Sequence, residues 1–321
     1  MTSSYEPDIP LVEGCQSSFD CFILDTQHMG NHGTVGSFLI PSLSDERFLL
    51  IETGPGSTLP TLNKAIEKAG FALEHLAAIL VTHIHLDHAG AAGALAQASR
   101  AEVYVHELGA RHLIDPSRLM ESARRIYGER LDSLWGEMKP IEAAKLHSLK
   151  DHERLKLLGH DIRIIYSPGH ASHHLSYLVN GELMFTGDSA GAKVKGSKVV
   201  RPTLPPPEVD LETYDVSVNL MKALQPKSLL LTHFGQVLEP EAHFEAVKEV
   251  NHRWAEDILQ GLKSGEDDSN LALRIAKLSA DELLADGASE VVKKRHSLIS
   301  NDEMSASGLK RYWQKFHPEK L

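Results

Sequence analysis

The chain's 321 residues suffice for one large domain, or a large one with a smaller companion, and a 42% hydrophobic share supports a real core. A formal net charge of -11, from 33 Lys and Arg against 44 Asp and Glu, argues against sequence-independent binding to nucleic acid. Two cysteines, Cys15 and Cys21, cannot build a disulfide framework, and neither a basic leader nor a bilayer-length apolar run is read. The expectation is therefore a cytoplasmic protein with a small-molecule partner and no membrane partner. Nothing in the sequence excludes a homo-oligomer.

Strands are expected at Phe22–Leu24, Gly36–Ile40 and Phe48–Glu52, short apolar runs divided by polar turns. Thr58–Ala69 follows as a helix with Leu62, Ala65, Ile66 and Ala69 on one face. Ala77–Val81 reads as a buried strand, Gly90–Ala98 as a small-residue helix and Glu102–Val105 as a strand. Ile114–Met138 is amphipathic and polar, a helical stretch between two strand-rich halves. Strands return at Ile162–Tyr166, His174–Val179, Leu183–Thr186 and Leu229–Leu231, with a helix at Ser217–Leu224. Four prolines between Pro202 and Pro207 exclude regular structure and leave two readings, a stiff surface connector or a rigid wall near a pocket mouth. Beyond Pro240 the strand signal ends. His243–Leu262 is strongly amphipathic, Gly265–Ser269 breaks it, and helices are expected near Asp281–Arg295 and Asp302–Phe316. The expected division is a catalytic domain over residues 1–240 and a helical extension over 241–321.

The segment that carries chemistry is Thr82-His83-Ile84-His85-Leu86-Asp87-His88, which follows the apolar run Ala77–Val81. His83 and His85 are two apart, so an extended backbone points them the same way. Imidazoles with one carboxylate suit zinc, iron, manganese or cobalt, and burying them together is costly without a cation. Three further groups follow apolar strands in the same manner: His170 in Ser167-Pro168-Gly169-His170, Asp188 in Thr186-Gly187-Asp188, and His233 in Leu231-Thr232-His233.

This order, HxHxDH, then PGH, TGD and a final His, resembles the metallo-β-lactamase-fold superfamily over roughly residues 20–235. The resemblance implies an α/β fold, a four-layer αβ/βα sandwich with a C-terminal helical appendage. It implies His83, His85 and His170 on one metal, Asp87, His88 and His233 on a second, and Asp188 bridging them. Two divalent ions are implied, zinc in the first place, with iron or manganese as alternatives. The activity implied is hydrolysis of an ester, thioester, lactone or similar small substrate by a water that both cations activate, with Asp87 also orienting that water.

Around this set the reading is more open. Glu52-Thr53-Gly54 stands where the family often carries an Asp, so either Glu52 or Thr53 buttresses the site. His174 is either a support for the ligands or a packed histidine. His106 and Phe234 are taken as substrate contacts, against a helix cap and a core aromatic. His112 is weighed in the same way as His106. His28 and His32 either approach the site or sit on a solvated loop tip.

Two other activities share the fold. A mononuclear-iron persulfide dioxygenase is disfavoured by His233, and a phosphodiesterase such as ribonuclease Z by the acidic chain. The glyoxalase II relatives share the first motif, but their Cys-Gly-His string is not what surrounds His233. Flavodiiron-type electron transfer is disfavoured as well, because no flavodoxin-like phosphate loop is read and the HxHxDH pattern differs from that group's carboxylate-containing version of the first motif.

Overall fold

A computed structural model describes residues 11–321. Two sheets lie face to face. The first has seven strands in chain order: β1 (Val12–Gly14), β2 (Phe22–Asp25), β3 (Gly36–Pro41), β4 (Phe48–Ile51), β5 (Leu76–Leu80), β6 (Glu102–His106) and β7 (Leu146–Leu149). The second has six: β8 (Arg154–Leu157), β9 (His160–Tyr166), β10 (Leu175–Val179), β11 (Leu183–Gly187), β12 (Ser228–Leu231) and β13 (Gly235–Val237), with β12 lying parallel to β11.

The apolar runs alternate between two surfaces, as a strand's period of two requires. Phe38, Ile40, Leu49, Ile51 and Leu80 face inward against Ile162, Ile164, Tyr177, Val179, Phe185 and Leu230. Their neighbours Leu39, Phe48, Leu50 and Ile79 face outward into a layer with Leu62, Ile66 and Leu95. Those last residues belong to α1 (Leu59–Lys68) and, beyond α2 (Leu86–Ala89), to α3 (Ala92–Ser99). Burial on both faces explains why the strands read as unbroken apolar runs.

The long middle insert folds as α4 (Glu107–Ile114), α5 (Ser117–Tyr127) and α6 (Leu131–Trp135). The outer face of the second sheet is covered by α7 (Leu211–Ala223) and α8 (Pro240–Lys263), backed by α9 (Asp268–Ala285) and α11 (Asp302–Phe316), with α10 (Glu290–Ile299) between these two in sequence. Leu229 and Leu231 share one apolar cluster with Phe244, Trp254, Leu271 and Trp313. The expected four-layer sandwich with a helical C-terminal part is thus present. No helix among the described residues is long and apolar enough to cross a membrane.

Several boundaries differ from the sequence reading. The helix expected over Asp281–Arg295 is interrupted at Gly287, where φ is 67°, and α9 starts earlier, where Asp267 accepts a hydrogen bond from the Asn270 N–H. Likewise α7 starts six residues before Ser217, because the Asp210 carboxylate caps it by accepting from the Thr213 N–H at 3.0 Å. Cys15 and Cys21, read as unremarkable thiols, have their sulfurs 3.2 Å apart beside the β1–β2 turn.

Candidate metal centre

The expected ligands converge where the C-terminal ends of β5, β9, β11 and β12 meet. His83 follows β5 in a bend, and His85, in extended backbone, is the N-cap of α2, so Asp87 and His88 ride on that short helix rather than on a loop. His170 follows β9, Asp188 follows β11 and His233 follows β12. His83 Nε2 lies 2.9 Å from His85 Nδ1, and His170 Nε2 lies 3.0 Å from the same atom. His233 Nε2 is 3.3 Å from Asp87 Oδ2, and His88 Nε2 is 3.8 Å from it. Asp188 stands between these groups: Oδ2 is 3.4 Å from His170, while Oδ1 is 3.4 Å from His88 and 3.6 Å from His233. Neighbouring donors on a tetrahedral zinc ion would be about 3.3 Å apart, given bonds of roughly 2.0–2.1 Å. Three trios within the set, His83/His85/His170, His83/His88/Asp188 and Asp87/His88/His233, have the spacing to hold an ion.

Each ring is aimed by a group behind it. The outer nitrogen of His88 is 2.8 Å from Glu52 Oε2, whose other oxygen accepts from the Thr82 N–H at 2.8 Å. Thr53 also serves, because its N–H and hydroxyl both donate to the His88 carbonyl. The question between Glu52 and Thr53 thus resolves into both, one on the ring and one on the backbone. Glu52 holds this place at a φ of 66°, in the left-handed region that a glutamate adopts only under constraint.

His170 Nδ1 donates to the Thr203 carbonyl at 2.8 Å, and His233 Nδ1 to the Thr34 carbonyl at 2.9 Å. The proline-rich segment divides: Arg201, Pro202, Thr203 and Leu204 are buried, and the Thr203 hydroxyl also donates to the Asp188 carbonyl, while Pro205 and Pro206 are half-buried and Pro207 is exposed, as a surface connector would be. His174 is a support: its Nε2 accepts from the Asp188 N–H at 3.1 Å, and its Nδ1 meets Ser167 and Ser189. Gly187, at φ 49°, is what permits that approach, because a Cβ there would lie 2.6 Å from His174 Nε2.

The charges differ across the cluster. Burial, then neighbouring imidazoles, push His83 and His85 well below the usual histidine range, and burial lowers His170. Burial pulls His88 and His233 the same way, but it is outweighed by Asp188, with Glu52 and Asp87 at His88 and Asp87 at His233, so both are raised. Burial also opposes ionisation of Asp188, yet His88, His170 and His233 hold its carboxyl well below the ordinary range. His88 Nε2 and Asp188 Oδ1 are buried and have no hydrogen-bond partner among the described residues. Such orphans are rare, and a cation between them satisfies both.

The two expected substrate contacts pack instead. His106 Nδ1 accepts from the Leu108 N–H at the start of α4, and its ring stacks on Tyr166 at 4.7 Å. Phe234 lies in the core between the sheets against Gly36 of β3. His112 accepts from the neighbouring Arg111 side chain. His32 pairs with Asp25 inside its own loop, whereas His28 is buried and within electrostatic reach of Asp87 and His233. His173, not singled out by the sequence, has its ring centroid 5.9 Å from that of His85; the pair of adjacent histidines after PGH was the available signal.

Residues 33–233 match the family described as the metallo-beta-lactamase superfamily. The chain belongs to the metallo-beta-lactamase superfamily. This member is 35% identical over 181 residues to a metallo-beta-lactamase fold-containing protein of Sulfurisphaera tokodaii, covering 56% of the chain and 67% of the relative. A hydroxyacylglutathione hydrolase of a Shewanella species is 31% identical over 114 residues, 36% of this chain and 34% of that protein. The superfamily member thus spans only a third of that enzyme, and about half of the one from Actinobacillus pleuropneumoniae. Among solved structures, a metallo-beta-lactamase family protein from Thermus thermophilus superposes with a TM-score of 0.66 at 18% identity, covering 95% of this chain and 92% of that one. At that identity the likeness concerns the fold.

Proposed function

We propose that the protein is a metal-dependent hydrolase that holds two divalent cations and cleaves a small ester, thioester or lactone. The observation that carries this reading is Asp188, whose two oxygens face opposite sides of the cluster, one toward His170 and one toward His88 and His233. In this reading His83, His85 and His170 hold one cation, Asp87, His88 and His233 the other, and Asp188 both. Zinc suits the donor set best, with iron or manganese as alternatives. When bound, the cations supply Lewis acidity, polarising a carbonyl and lowering a water's pKa from roughly 15.7 to about 7.

The residues do the rest. His85 and Asp87 are the partly exposed members of the set and mark the side from which substrate enters. The Asp87 carboxylate accepts a hydrogen bond from the attacking water and so orients it. Glu52, Thr203 and Thr34 keep the imidazoles in the tautomer that presents a free nitrogen to the centre.

The test is metal analysis with a screen of p-nitrophenyl acetate, an S-acyl thioester, a lactone and bis-p-nitrophenyl phosphate. Turnover of the carbonyl substrates, abolished by a chelator and restored by zinc, is expected. Turnover confined to the phosphodiester, or oxygen uptake with glutathione persulfide, would replace this reading.

A further inference from the structure

The loop between β2 and β3 passes beside the cluster, since its Thr34 carbonyl accepts from His233. It carries His28, which is only 3% exposed. Its Nδ1 is buried with no hydrogen-bond partner among the described residues. The residues on either side, Gln27 at φ 51° and Met29 at φ 53°, both occupy the left-handed region. Each such conformation is strained and persists only where the surroundings over-determine it.

They do so here. Asp25 accepts from the N–H groups of Gln27 and Gly33, and the Asn31 side chain donates to the Met29 carbonyl. From α10, the Arg295 guanidinium donates to the His32 carbonyl at 2.6 Å. A strained, tightly tied loop thus holds one buried imidazole with an unused nitrogen.

The opposite side of this imidazole is Trp135, at the end of α6. The two rings stack with centroids 5.1 Å apart and planes 19° from parallel. Tyr127 crosses the indole edge-on at 5.3 Å. The indole Nε1 is also buried without a partner. It can only donate, so an acceptor oxygen is what it lacks.

Trp135 is fixed by the chain around it. Ser57 Oγ donates to the Leu134 carbonyl at 2.8 Å, and a Cβ at Gly136 would lie 2.4 Å from the Ser57 nitrogen, so only glycine allows this docking. Gly56–Thr58 follows directly on the Glu52-Thr53-Gly54 turn that supports His88. The segment 52–58 thus contacts both the support of His88 and the chain that carries Trp135.

Two stacked rings each carry an unsatisfied buried nitrogen; His28 lies within electrostatic reach of Asp87 and His233, and Tyr127 beside the indole within reach of Asp87. A ligand oxygen would supply the acceptor that the two orphaned nitrogens lack. We propose that His28 and Trp135 form the recognition wall for the substrate's acyl part, selecting an uncharged ester or thioester whose acyl group is a flat aryl group with an oxygen acceptor. His28 donates a hydrogen bond to the acyl oxygen, and Trp135 and Tyr127 offer ring faces and edges to the aryl group. This inference rests on the hydrolase reading for the word substrate, not for the binding wall itself.

The test uses the zinc-loaded full chain and two uncharged, non-hydrolysed probes, 2-phenylacetamide and hexanamide. Of the three tryptophans, Trp254 and Trp313 are buried among the C-terminal helices, so Trp135 is the fluorophore that reports on the wall. Phenylacetamide is expected to quench the emission saturably, and hexanamide at least about tenfold more weakly. Trp135→Phe should abolish the response. His28→Asn should weaken binding about tenfold while zinc content and melting temperature stay unchanged.

In kinetics, His28→Asn and Trp135→Phe should raise KM for a phenylacetyl thioester and leave that for a hexanoyl thioester within about twofold. Equal effects on both acyl groups, equal quenching by both probes, or zinc loss from His28→Asn would overturn the wall, as would a buried water alone satisfying the two nitrogens. Selective phenylacetamide binding without thioester turnover would support the wall while removing the hydrolase reading. Turnover of both thioesters without discrimination would do the reverse.

Discussion

The two sides of the cluster differ in charge. His83, His85 and His170 form a side of three imidazoles that burial keeps neutral. Asp87, His88 and His233 form a side where carboxylates, Asp188 first, then Glu52 and Asp87 at His88 and Asp87 at His233, make the imidazoles hold protons more strongly. The contrast shows how one donor type serves two environments: His170 and His233 both donate to a backbone carbonyl, so the balance of burial against nearby carboxylates, not the group behind the ring, separates them. A cation on the first side meets ready lone pairs, while one on the second must displace protons but gains more negative charge.

The largest expected effect removes the group shared by both sides. Asp188→Ala should release both ions and lower hydrolysis on the order of 10³-fold, about 4 kcal/mol, with the fold intact by circular dichroism. If one side kept its ion at full affinity, the two sides would be independent and the bridge would be refuted.

Next in size is Glu52→Gln, which acts directly on the His88 ring and reaches the first side only through the Thr82 N–H. Metal affinity there should fall by about 10–100-fold while the three-imidazole side retains its ion in competition with a chelator. Equal loss on both sides would break the contrast.

Acidity sharpens it further. A histidine raised above its ordinary pKa takes up a proton at higher pH, so protons compete first at His88 and His233 as the pH falls. The lowered pKa values of His83, His85 and His170 delay that competition. Metal retention followed downward from pH 7 should therefore show the second side emptying first, and simultaneous release would contradict the assignment.

The smallest effect is expected at Tyr214→Phe. Its hydroxyl donates to the Asp188 carbonyl at 2.6 Å, and its loss should cost about 1 kcal/mol of stability in thermal melts, with activity reduced only a few-fold.

Much of the centre was legible because its side chains are themselves the signal, at strand ends followed by glycine, proline or a short helix. What aims them was less visible. Thr34 and Thr203 act through carbonyls, which every residue has, and only folding tells which one meets His170 or His233. His28 and Trp135 lie more than 100 positions apart, and no period links them. In the fold, the strands buried on both faces were apparent as apolar runs. β8 was not, since Arg154-Leu155-Lys156-Leu157 alternates at an exposed edge, nor was β7, whose His147 and Ser148 are exposed. The break between α9 and α10 escaped because Leu283 and Val292 are buried on both sides of Gly287, so the apolar pattern runs on across it.

The central question is whether paired cations at this cluster are what make the protein reactive. The direct measurement is metal content and hydrolysis on the same sample, before chelation, after it, and after zinc is returned. Two ions per chain, activity lost with the metal and regained with zinc, is the predicted result. Undiminished turnover by a metal-stripped chain would contradict it.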